Sequence, residues 1–329
     1  MAVLDGIWRE RTEDWTYGFL PAERTPYGLT KESIKPRESY INVHLQSLRI
    51  THVRRGLNKF FGAVHSYIAL PHMREGLAEY LVFTTPERLK DIDAPNIDNV
   101  IQLRRRLLGP TPYQGGDVEM ELALFSIKSG EMTGPFLAVL EFLSESAGVS
   151  FLSVIVPYVA PLKEGVKLLA KMSGSSSLEI GLNATQPHLE TGCYVILRAP
   201  RKEIKLEELQ LRDDGHLLDP SGNLIADYPY LVFTIEATQE KDDWFNIPEL
   251  KQAYAVVQEA IEADQIEDAQ LALKMFRRTA LFSPDLLRKD AERIVELVTK
   301  EMNEILQPTV TAGAAKSSLI QLSDLPLYQ

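Results

Sequence analysis

The sequence predicts an α+β fold: two β-rich, antiparallel, sandwich-like domains followed by a small C-terminal helical module. Three observations carry this. Between residues 39 and 127 short runs rich in Val, Ile, Leu, Phe and Tyr recur between clusters of Gly, Pro, Asn and Asp, which is how strands and their turns are written. A second set of such runs follows a Ser/Gly stretch at 173–177. From Asn246 onward the apolar spacing changes from two to between three and four residues.

Residues 1–38 precede these elements. They hold Trp8, Trp15, Tyr17, Phe19 and Tyr27 among Pro21, Pro26 and Pro36, with no sustained period, and read as an extended aromatic arm that lies on another surface or on its own chain. The larger β domain, 39–172, opens with strands over 40–53, 60–70, 79–84, 99–103 and 117–127. In the last, Val118, Met120, Leu122 and Leu124 alternate with Glu119 and Glu121, so one side starts wet. Pro135 then suits the first turn of a helix that Gly148 can end.

Residues 147–162 carry no charge in a chain that is 25% charged. A permanent transmembrane helix needs about 20 apolar residues, and this run is shorter and contains Pro157 and Pro161. Burial as core is the plain expectation. The alternative is a stored membrane segment: Phe151, Leu152 and Ile155 lead into an amphipathic stretch with Lys163, Lys167 and Lys171 on one face, suited to anionic lipid on release.

Residues 173–177 are a linker by composition. The smaller β domain, 178–245, has strands at 193–199, 206–211 and 230–237, joined by the turn formers Asp213-Asp214-Gly215 and Asp219-Pro220-Ser221-Gly222. The three-helix module, 246–306, shows capping signals at Asn246 with Glu249, Asp264 with Glu267, and Ser283 before Pro284. A mobile tail, 307–329, ends in an apolar cluster that includes Leu325, Leu327 and Tyr328.

Composition narrows function. A net charge of −11 argues against nucleic acid as the main partner, since phosphate binding is dominated by clustered Lys and Arg. One cysteine, Cys193, forbids an internal disulfide or a Cys-based zinc cluster and fits a reducing, cytoplasmic compartment. The first ten residues lack the basic start and apolar run of a signal peptide. No phosphate-binding glycine loop and no G-x-S-x-G turn is present. His44, His52, His65 and His72 lack the one-face spacing of a zinc site, and Cys193 beside an apolar run reads as a packing thiol.

No cofactor and no metal are expected, and catalytic residues stay unassigned. The leading expectation is a non-enzymatic protein-interaction or assembly component, an adaptor that binds a protein partner or a second copy of itself. Its contacts would come from Trp8, Trp15, Tyr17, Phe19, Leu325, Leu327 and Tyr328, because large aromatic and apolar side chains anchor interfaces. Two alternatives are a conditional membrane-active effector using 147–172, and a hydrolase of unrecognised type centred on the carboxylates between Asp213 and Asp227.

Overall fold

The computed structural model describes residues 15–51, 54–55, 58–73, 76–83, 100–128, 176–199 and 204–306. Its architecture is α+β, with three mostly antiparallel sheets and three helices at the C-terminal end of the described chain. The chain divides into two compact units, 1–237 and 238–329.

In the first unit, one five-stranded sheet takes the order β1 (Trp15–Leu20), β9 (Gly192–Arg198), β12 (Tyr230–Thr238), β2 (Tyr40–Arg49), β6 (Val100–Pro112). A second sheet runs β3 (Arg54–Arg55), β4 (Asn58–His72), β7 (Val118–Lys128), β8 (Ser176–Gln186), with β5 (Gly76–Phe83) on the free side of β4. The third is the short hairpin β10 (Gln210–Leu211) and β11 (Leu217–Leu218).

Alternation builds the sandwich. Ile41, Val43 and Leu45 of β2, with Leu231, Phe233 and Ile235 of β12, share one core with Val64, Ile68 and Leu70 of β4 and Met120, Leu122 and Leu124 of β7. The residues between them on β12, Tyr230 and Val232, point to the opposite side of the first sheet and bury there with Leu206, Leu211, Leu217 and Ile225. A strand buried on both faces shows no wet side, which is why Tyr230 to Phe233 reads as an unbroken apolar run.

Two segments differ from the sequence expectation. Part of the extended arm is strand β1, paired with β9 from Trp15 opposite Arg198 to Leu20 opposite Cys193. Residues 173–177 are expected as a linker, yet Ser176 and Ser177 already belong to β8, opposite Ile127 and Ser126. Strands from either side of that stretch occur in both large sheets. Serine composition hides β8, whose core-facing residues are Ile180 and Leu182.

The second unit holds α1 (Pro248–Glu262), α2 (Ile266–Leu281) and α3 (Arg288–Leu306). Helix starts lie beyond the expected caps. Asn246 closes a short turn over Trp244–Asn246, and Pro248 occupies the first turn of α1. Asp264 takes φ 53°, so Gln265 stands at the start of α2. Ser283 accepts a hydrogen bond from the Asp285 N–H and forms a local turn before α3.

Candidate functional site

On its outer side the first sheet is apolar under β9 and β12 and covered by residues 204–228. The cover is fastened by polar contacts. Tyr230 Oη donates to the Gly215 carbonyl at 3.2 Å and accepts the Leu217 N–H at 3.2 Å. Ser47 Oγ donates to the same carbonyl at 3.1 Å, and the Arg49 guanidinium donates to the Ala226 carbonyl at 2.8 and 3.2 Å.

Past this cover the sheet turns polar, and an open cleft of about 470 Å³ forms, lined by Pro26, Tyr27, His44, Gln46, Arg104, Asp213 and Glu236. Gln46 Nε2 donates to Thr234 Oγ1, and Thr234 Oγ1 donates to Glu236 Oε1, both at 2.9 Å. His44 Nδ1 lies 3.6 Å from the same carboxylate oxygen, beyond ordinary hydrogen-bonding distance. The imidazole and the Thr234 hydroxyl hold Glu236 below the ordinary carboxylate range in spite of its partial burial. Burial pushes the Tyr27 hydroxyl up to about 12.

Arg104 reaches this cleft from an irregularity in β6. Leu45 opposes Arg105 and Ser47 opposes Gln102, so two residues of β6 face one of β2. Arg104 takes φ 44° there, and bulges of this kind re-aim a side chain. The cleft thus carries one exposed guanidinium, a carboxylate–imidazole pair that can hold a proton, and a phenol donor. Among the described residues its lining contains no hydroxyl or thiol nucleophile of the Ser or Cys type. Cys193 is buried on the same sheet, its thiol pushed up to about 12 by desolvation, and packs as an apolar group.

Of the interface residues expected from sequence, Tyr17 and Phe19 are half-buried on their own chain. Tyr17 stacks on Tyr194 with ring centres 5.7 Å apart, and Phe19 meets Tyr194 edge-on at 5.9 Å. Trp15 contributes its backbone to β1. Trp8, Leu325, Leu327 and Tyr328 lie outside the described residues, as do Phe151, Leu152, Ile155, Lys163, Lys167 and Lys171. The carboxylate hairpin is largely self-occupied: Asp219 accepts the Ser221 and Asn223 N–H groups at 2.8 Å, and Asp213 alone of that hairpin lines the cleft. Among the described residues no three His, Cys, Asp or Glu side chains gather as a metal site would require. Also among them, no helix is long and apolar enough to cross a membrane.

The helical unit offers a different surface. Its interior is built on Trp244, which meets Tyr254 and Phe276 edge-on at 5.4 and 5.7 Å. Asp290 is buried at the start of α3, where it accepts the Lys241 N–H at 3.0 Å and Arg293 Nε at 2.7 Å. Helix α2 buries Ala269, Ala272, Phe276 and Ala280. On its opposite face Leu271 is 58% and Met275 62% exposed, one turn apart, and Phe282 just beyond the helix is 71% exposed. Sequence reading credited the termini with the interface and missed this stripe, although its spacing of four was legible.

Comparison with protein-family models, with curated proteins and with solved structures yields no match.

Proposed function

We propose that the protein is a non-enzymatic interaction or assembly component, an adaptor that presents the outer face of α2 to another protein chain. The observation that supports this is the pair Leu271 and Met275, large apolar side chains held exposed on a folded helix whose own packing needs are met by the opposite face. Methionine adapts to irregular surfaces and recurs at binding faces. The cytoplasm is the compartment in keeping with a single cysteine and an acidic chain.

The test is Leu271→Asp together with Met275→Asp in the full chain. Both positions are exposed, so circular dichroism and melting should stay near wild type, within about 1 kcal/mol for the pair. Crosslinks from α2 to another chain in native extract should disappear. Retention of every such crosslink would remove the reading.

A second reading, hydrolysis, is favoured by the carboxylate–imidazole pair at 3.6 Å in an open cleft. It expects His44→Gln and Glu236→Gln each to lower turnover on an ester or phosphoester panel by at least about 100-fold without altering the melting temperature. Equal activity of wild type and both variants counts against it.

A further inference from the structure

Granted that the α2 face is an interface, the identity of its partner is open, and the charge order along the helix bears on it. Glu267 and Asp268 stand toward the N-terminal end of the exposed stripe, Lys274 and Arg278 toward the C-terminal end. At 100° per residue these four, with Leu271 and Met275, occupy one side, and the buried Ala269, Ala272, Phe276 and Ala280 occupy the other. All four charged side chains are exposed, and none makes an ion pair among the described residues. By contrast, the neighbouring charges on α3 pair internally, Arg288 with Glu292 at 2.8 Å and Lys300 with Glu304 at 3.7 Å.

We propose that this face pairs with the same face of a second copy of the chain, the two α2 helices antiparallel about a twofold axis. In such an isologous contact each residue meets a fixed counterpart reciprocally. A twofold centred at Leu273 sets Leu271 against Met275 of the second copy. The same axis sets Asp268 against Arg278, because both pairs share that midpoint in the sequence. A parallel arrangement would set like charges together. Acids at a helix start and bases at its end also suit the helix's own dipole; the coincidence of the apolar and the ionic pairs on one axis is what singles out self-pairing. Two helices of this length make a small contact, so the dimer is expected on the order of 10–100 µM rather than at nanomolar concentration.

Sedimentation velocity of the full chain over a roughly hundredfold concentration range tests this. Wild type should shift from monomer to dimer. Asp268→Arg and Arg278→Asp should each weaken the dimer at least tenfold, since each brings like charges together. The double variant D268R/R278D should return to within about threefold of wild type, because the swapped charges pair again across the axis. Circular dichroism of each variant checks that α2 stays helical. A wild type that is monomeric throughout, or a double variant as weak as the singles, overturns self-pairing. Crosslinks from α2 to a different protein would then keep the interaction reading; an α2 that crosslinks to nothing would remove both.

Discussion

Gly109 sits where β6 departs from regular pairing with β2, with φ +96°, and a Cβ there would run into the carbonyl oxygen of Ile41. Gly109→Ala is therefore expected to lose about 2–4 kcal/mol, seen as a lower denaturation midpoint at unchanged slope. His65 makes a pH-dependent prediction. It is buried in β4, and desolvation lowers its pKa to about 4. Above pH 6.5 the group is neutral in both states and costs nothing. As the pH falls from 6.5 toward 4 the unfolded chain takes up a proton that the folded chain refuses, and stability drops by up to roughly 3 kcal/mol. Urea denaturation of wild type and His65→Leu at pH 7.5 and 4.5 should show a smaller loss in the variant; parallel losses would count against this assignment. Neither residue's role was legible beforehand, because both depend on what another strand brings against them.

At the scale of elements, the strands that alternate over a clear length were legible and those that do not were missed. Val118 to Leu124 announces β7 by its glutamates. Strand β1 is six residues with Gly18 in the middle, and a Cβ at that glycine would lie 2.8 Å from Leu206, so the residue that blurs the pattern is the one the packing requires. Sequence placed the helices well and their starts poorly, since Asn246 and Ser283 spend their capping chemistry on turns just upstream. The cleft was legible only through Asp213: its residues lie on segments far apart in sequence and meet because β12 lies beside β2. For the stretch 147–172, the stored-membrane reading predicts that Lys163→Glu, Lys167→Glu and Lys171→Glu together abolish flotation of activated protein on anionic vesicles, at about 1 kcal/mol per lysine. Unchanged flotation would end that mechanism. In the helical unit, Asp290→Ala takes away the acceptor of the Lys241 N–H and of Arg293 Nε, while Arg293 keeps its pairing with Glu240 at 3.4 Å, and should destabilise the unit by about 2–4 kcal/mol.

For the whole molecule, each unit coheres internally by its own means. The first sheet joins residues 15–20 to 192–198 and 230–238 to 40–49. Removing residues 1–38 takes away β1 with Tyr17 and Phe19, and is expected to unfold the first unit at temperatures where wild type stands, rather than to trim a free arm. Thermal scans of the truncated chain would show that. The interleaving also sets an order of events on the ribosome. Strand β12 is central in its sheet and comes last, so the earlier strands wait unpaired along one side until about residue 238 has left the exit tunnel, a long interval for exposed β surface. The helices after it need only near neighbours and close as they emerge. Newly made chains are thus most vulnerable to aggregation, and most in need of a chaperone, in the interval just before β12 emerges to close the first sheet.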